Sequence, residues 1–219
     1  MRIFVLSIML LLIFLVVNTN SADDIKAIES EFNNKDWGVR YSVLDKIKDI
    51  SKKDSITFLI KVVSNRAEYW PIKIKAIQLL GKSHDPEALN TLLTIFNDPF
   101  LNWECPSIKS YTAYALGNFK NNHKVFNSLI NAVDDKEVLT REAVITSLGK
   151  IANPEAIPYL LNALNDKSIA VRLSALKSLE EIGDINTIPY IQNFINREID
   201  STIKEMASII LNNISTNHK

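Results

Sequence analysis

The sequence predicts an all-α solenoid of about five and a half stacked helical hairpins. Six times along the 219 residues a basic residue precedes a stretch rich in Ala, Ile and Leu, at steps of 31–36 residues. A period in this range is typical of stacked helical pairs, because no single pair can bury its apolar face alone. Only five glycines occur, which also favours helices throughout. The six basic residues are Arg40, Lys73, Lys109, Arg141, Arg172 and Lys204.

Each basic residue lies in the first helix of its hairpin, which we call helix A. Four mostly apolar or small positions recur around it, one residue before it and three, seven and ten residues after it. Steps of four, four and three residues follow one face of a helix with 3.6 residues per turn, so this stripe is expected to be buried. In the fifth repeat the stripe consists of Val171, Ala175, Leu179 and Ile182.

A second apolar stretch follows each helix A after a short turn and predicts a partner helix, helix B. Asp85 and Asn153 each precede a proline at the first position of such a helix, where a capping side chain and a missing N–H suit a helix start. Glycines near the end of helix A permit either a turn or the close approach of the next helix. These glycines are Gly81, Gly117 and Gly149.

Residues 1–22 have the three-part layout of a secretory signal peptide: a short basic start, an apolar run over 3–17, and a small polar end. The run would reach about 22 Å as a helix, short of the roughly 30 Å hydrocarbon core of a membrane. We therefore predict cleavage after Ser21 or Ala22 and export to a periplasm or the cell exterior, with the repeat domain at 23–219. An uncleaved membrane anchor is the alternative.

The repeats are expected to begin near residues 36, 69, 105, 137, 168 and 199. An apolar stripe in residues 23–34 predicts a further helix that caps one end of the stack, and an unpaired helix at 203–214 caps the other. Asp135 and Asp166 each stand six residues before a basic residue. We expect these aspartates to cap helix A and to form ion pairs along the stack.

The charge and cysteine content exclude some partners and some means of stabilisation. Lys and Arg total 25, as do Asp and Glu, so neither nucleic acid nor, after signal cleavage, a membrane is an expected partner. Cys105 is the only cysteine, so no internal disulfide can form. Its place before Pro106 allows a reactive thiol at a helix start, but a partly buried bystander is the favoured interpretation because no His or Asp motif adjoins it.

With this repeat pattern the chain resembles the HEAT-like repeat family, in the short bacterial form also found in phycobilisome lyases. The resemblance rests on residues 141–149 (REAVITSLG), 156–161 (AIPYLL) and 166–179, and it spans about 36–214. It implies a right-handed α-solenoid whose helix B lines a concave face. It specifies the fold strongly and the activity hardly at all, because function depends on sites placed on a fold.

A polar position recurs once per repeat on helix B, and we call this set the polar column. If helix B lines the concave face, the column forms an amide-rich strip suited to peptide backbone or sugar hydroxyls. An ordinary solvated helix face gives the same pattern and is the favoured interpretation. The polar column consists of Lys61, Thr94, Asn131, Asn162 and Asn193.

Three tryptophans lie at turns between repeats. Trp37 and Trp70 are predicted to be packing residues at the start of helix A. Trp103 lies with Phe100 and Leu101 in a turn about four residues longer than its equivalents. An extended apolar loop is where a repeat protein presents contacts to a partner, so these three residues are the strongest candidates for a partner-binding site. The alternative is that the loop folds back over its own hairpin.

Sequence motifs for catalysis, metals and cofactors are absent. His84, His123 and His218 lack metal-ligand spacing, and the His-Glu pairs that hold di-iron in HEAT-like deoxyhypusine hydroxylases do not occur. We therefore predict a non-enzymatic binding or scaffolding module, without a cofactor, that engages a protein or peptide partner. An enzyme or cofactor-handling protein, like the lyases and hydroxylases of the wider family, is the first alternative. A nucleic-acid binder is the second.

Overall fold

The computed structural model describes residues 25–47, 49, 52–99 and 105–216, and within them it contains helices and turns but no β-strand. The predicted signal peptide and loop residues 100–104 lie outside the described residues. The all-α prediction is confirmed. The helices are α1 (25–32), α2 (Trp37–Val43), α3 (Lys53–Ser64), α4 (Trp70–Ser83), α5 (Pro86–Asn97), α6 (Pro106–Leu116), α7 (His123–Ile130), α8 (Val138–Ile151), α9 (Ile157–Ala163), α10 (Ile169–Ile182), α11 (Ile188–Arg197) and α12 (Ser201–Thr216).

The helices form two layers. The even-numbered helices α2 to α12 are the A helices, and the odd-numbered helices α3 to α11 are the B helices that follow them. Each hairpin contacts the next one along the chain, A helix against A helix and B helix against A helix. The predicted solenoid is therefore confirmed, with five hairpins and the unpaired α12 among the described residues.

The stripes predicted from the sequence form the core of the stack. In the fifth repeat Val171, Ala175 and Leu179 are buried, whereas Ile182 is partly buried at the helix end. The predicted caps are also present. The Asp85 carboxylate accepts hydrogen bonds from two backbone N–H groups at the start of α5, and the Asn153 side chain accepts one in the turn before α9. Local capping and apolar periodicity thus agree with the tertiary packing.

The A helices approach one another unusually closely. A Cβ added to Gly81 would lie 2.6 Å from the Cβ of Ala115, and one added to Gly149 would lie 2.5 Å from the Cβ of Ser178. The Ser178 hydroxyl also donates a 2.9 Å hydrogen bond across this interface to the carbonyl of Ile145. Glycine is therefore required at these positions for close helix packing.

Neighbouring B helices contact each other less extensively than neighbouring A helices do. Neighbouring A helices meet through small residues at Gly81, Gly117 and Gly149. Clefts of about 260–390 Å³ open between neighbouring B helices, and one of about 530 Å³ opens between α1 and α3. The expectation that helix B lines the concave face stays a prediction.

We expect Gly149→Ala to lower the free energy of unfolding by about 1–3 kcal/mol, because the new methyl group would overlap Ser178 at the α8–α10 interface. Urea denaturation followed by circular dichroism measures the change. Gly38→Ala is the matched control, since its added Cβ would meet only the side-chain oxygen of the exposed Asp36. Equal stability of the two variants would contradict the close packing of the A layer.

Candidate partner-binding surface

A series of ion pairs runs along the edge where each B helix turns into the next A helix, which we call the turn edge. Arg141 donates from Nε and Nη2 to the carboxylate of Asp166 in the following turn, at 2.7 and 3.0 Å. Its Nη1 donates to the carbonyls of Asp135 and Lys136 in its own turn, at 2.8 and 3.2 Å. One guanidinium therefore fixes two consecutive turns relative to each other. The other ion pairs join Arg40 to Glu68 (2.9 Å), Lys109 to Asp135 (2.6 Å) and Arg172 to Glu198 (2.8 Å).

The predicted ion pairs of Asp135 and Asp166 are confirmed, but neither aspartate is itself the N-cap residue of helix A. The N-cap residues are Glu137 in α8 and Ser168 in α10. Their backbone N–H groups donate to Asp135 at 2.9 Å and to Asp166 at 2.8 Å. Sequence reasoning missed the two glutamates in the series. Glu198 stands six residues before Lys204, so the aspartate spacing would have found it if glutamate had been considered.

The arginines of the series also set the charge state of their partners. Burial would raise the pKa of Asp166, but hydrogen bonds from Arg141 and the backbone of Ser168 hold it below its usual value. Burial opposes ionisation of Glu198 in the same way, and hydrogen bonds from the backbone of Asp200 and from Arg172 lower its pKa. Both carboxylates are therefore ionised, and their ion pairs with Arg141 and Arg172 hold consecutive turns together.

The clefts between B helices open at the turn edge, and members of the polar column line them. Lys61, Thr94, Asn131 and Asn162 each line a different cleft, and Asn193 is exposed on α11. The column thus contains one exposed residue per repeat in the B layer. Its role in binding a partner remains a prediction. The Thr94 hydroxyl donates to the carbonyl of Asn90 in its own helix, which reduces its value as a ligand group.

Three aromatic side chains at the turn edge form an exposed cluster, which we call the aromatic patch: Trp37, Tyr69 and Trp70. Their ring centroids are 5.0 Å apart for the Trp37–Tyr69 pair and 5.7 Å apart for the Tyr69–Trp70 pair. Trp37 is 50% exposed and Trp70 48%, so the prediction that both are packing residues is wrong. In α4 the buried Ile72 stands two positions after Trp70, about 200° around the helix, so Trp70 points outward. In α2 the equivalent residue, Val39, is itself 38% exposed.

The extended turn that contains Phe100, Leu101 and Trp103 lies outside the described residues, so its contact role remains a prediction. Cys105, which follows it, is the N-cap residue of α6. It is a partly buried free thiol packed against the core.

The outer surface of the A layer carries a polar pair that sequence reasoning missed. Burial raises the pKa of Tyr114 on α6 to about 12, and the charge of Glu142 on α8, which accepts its hydrogen bond, adds to the effect. Tyr114 is partly exposed and stays neutral at physiological pH, so its hydroxyl remains a hydrogen-bonding group on this face.

Across the described ranges, His, Cys, Asp and Glu side chains form no group of three that could hold a metal ion. Among the described helices, none combines the length and apolar character needed to cross a bilayer.

Comparison with known proteins identifies the repeat. The sequence profile of the family described as HEAT repeats matches residues 99–168 and 126–212, together more than half of the chain. No curated protein matches the sequence. The chain is similar in structure to the CpcE–CpcF complex of phycocyanin lyase from Nostoc sp. PCC7120, with 18% identity, a TM-score of 0.59, and coverage of 84% of this chain and 74% of that one. It is also similar to a designed armadillo repeat protein in complex with the peptide (KR)4, with 15% identity, a TM-score of 0.59, and coverage of 87% and 99%. At these identities the likeness shows the fold alone.

We expect Asp166→Asn to lower the free energy of unfolding by about 1–3 kcal/mol at pH 7, because it removes a charged partner of Arg141. Since the folded-state pKa of Asp166 is lowered, its contribution is complete at neutral pH and is lost as the pH falls from about 5 downward. The difference between variant and wild type should shrink over that range in urea titrations. Glu181→Gln, on the exposed surface of α10, is the control. A difference that is independent of pH would argue against the ion pair.

Proposed function

Because the chain belongs to the HEAT repeat family, whose stacked hairpins expose long continuous surfaces, we propose that it is an exported, non-enzymatic scaffold that binds a protein or peptide partner. The observation that carries this proposal is the aromatic patch at the turn edge. Two half-exposed tryptophans and a tyrosine lie in contact across the first two repeats.

Trp and Tyr contribute more binding energy to interfaces than most other residues, because each buries a large rigid area. The rings of the aromatic patch already pack against one another, which limits the side-chain entropy that a partner must remove on binding. Exposed apolar residues continue along the same edge at the starts of later A helices, which would lengthen the contact. These residues are Val138, Leu139 and Ile169.

The known binding of a structural neighbour supports the same class of partner. The designed armadillo protein with a similar fold holds a peptide, which illustrates recognition by stacked helical repeats. Of the surfaces predicted from the sequence, the polar column adjoins the turn edge and would extend the same contact. The loop with Phe100, Leu101 and Trp103 stays a predicted contact surface.

A cofactor-handling role is the second candidate, because a phycocyanin lyase is among the structures with this fold. It would require several titratable groups converging on one cavity. The carboxylates with lowered pKa among the described residues, Asp166 and Glu198, are instead paired with arginines of the turn edge. The binding role is therefore preferred.

The binding surface can be tested with Trp70→Ala in affinity capture from the native compartment. We expect capture of the partner to fall at least about tenfold, while the free energy of unfolding changes by no more than about 1 kcal/mol, since the side chain is half exposed. Tyr190→Ala, an exposed aromatic residue on α11, is the matched control. Equal capture by the two variants would refute the aromatic patch as the contact.

Export is tested separately by mass spectrometry of the N-terminus of the protein isolated from its native cells. We expect a chain beginning at Ala22 or Asp23, because the segment before it has the layout of a cleaved signal peptide. A chain that retains the apolar run at 3–17 would instead support a membrane anchor.

A further inference from the structure

One repeat departs from the apolar stripe of helix A at a buried position. The residue directly before the basic one is Val or Ile in five repeats but Thr140 in the fourth. Thr140 is 1% exposed, and its Oγ1 has no hydrogen-bond partner among the described residues. A buried hydroxyl without a partner destabilises the fold, whereas Val171 has almost the same shape at the equivalent site and is also buried.

Thr140 lines the cleft of about 370 Å³ between α5 and α7. This volume is at the lower end of the range for sites that bind small groups. A cleft next to an unsatisfied buried hydroxyl provides a place from which a ligand could supply the missing hydrogen bond.

The charged groups around this cleft balance one another. Lys109 pairs with Asp135 at 2.6 Å, and the exposed Lys136 is followed by the partly buried Glu137. Two positive and two negative side chains give no net attraction to an anion or a cation. The electrostatics of the cleft therefore favour a neutral ligand.

The remaining lining combines apolar and amide groups. Phe96 and Ala132 are buried apolar residues of the cleft wall, and Asn131 of the polar column is exposed at its mouth. A suitable ligand therefore has an apolar stem and a neutral end that both donates and accepts hydrogen bonds.

We propose that the α5–α7 cleft binds a primary-amide side chain, Asn or Gln, from the partner of the proposed scaffold. The methylene stem packs against Phe96 and Ala132, and the amide exchanges hydrogen bonds with the Thr140 hydroxyl and the Asn131 side chain. A hydroxyl can donate to the amide oxygen or accept from its nitrogen, so either orientation of the amide satisfies Thr140. The inference rests on the proposed function, because it assigns the chemistry of the partner at one position.

The test uses the full chain, its Thr140→Val variant and three probes: N-acetylglutamine methylamide, N-acetylglutamate methylamide and N-acetylglucosamine. Nuclear magnetic resonance titration follows the backbone amide signals of residues 131 and 140. We expect saturable shifts with the glutamine probe and at least about tenfold weaker binding by Thr140→Val. Without ligand, the variant should melt about 2–4 °C higher, because it loses an unsatisfied hydroxyl.

In Thr140→Val, binding of the glutamine probe should weaken while the melting temperature rises. This combination distinguishes a ligand site from a purely structural hydroxyl. A lower melting temperature for Thr140→Val would mean that the hydroxyl is already bonded in the folded protein, and the proposal would fail. Val171→Thr is the matched control: it should lower the melting temperature and leave the glutamine titration unchanged. The proposal is also overturned if the glutamine probe gives no saturable shift, if the variant binds it equally well, or if the glutamate or sugar probe binds more tightly.

A displayed library of random dodecapeptides separates this inference from the proposed function. Bound peptides that share an Asn or Gln, with the preference lost in Thr140→Val, support the cleft. Bound peptides without an amide preference would overturn the cleft assignment and leave the scaffold role standing. If no peptide binds while the glutamine probe still titrates the cleft, the amide site stands and the scaffold role fails.

Discussion

The close approach of neighbouring A helices is the constraint on which the other features of the stack depend. Gly81, Gly117 and Gly149 leave no room for a Cβ, so small residues of the next helix meet backbone rather than side chain. The B helices contact one another less than the A helices do, and clefts open between them.

The ion pairs of the turn edge make that geometry repeat from one hairpin to the next. Arg141 binds carbonyls of its own turn and the carboxylate of the next, and Arg172 does the same one repeat later. Each turn is therefore held in a similar position relative to the preceding helix A. Clefts open between successive B helices from α3 to α9, and sequence differences among them decide which one can be specific. Thr140 is such a difference.

Much of this architecture was predictable because local and tertiary signals agree. The apolar stripe, the caps at Asp85 and Asn153, and the ion pairs of Asp135 and Asp166 all follow from periodicity and side-chain chemistry. The exposure of Trp70 follows from its angle of about 200° from the buried Ile72, which residue type alone does not indicate. The unsatisfied state of Thr140 requires coordinates.

The hydrogen bonds by which each arginine joins two consecutive turns also have a mechanical consequence. Sliding one hairpin past the next would stretch both hydrogen bonds between the guanidinium and the carboxylate at once. Neighbouring hairpins should therefore resist shear along the turn edge.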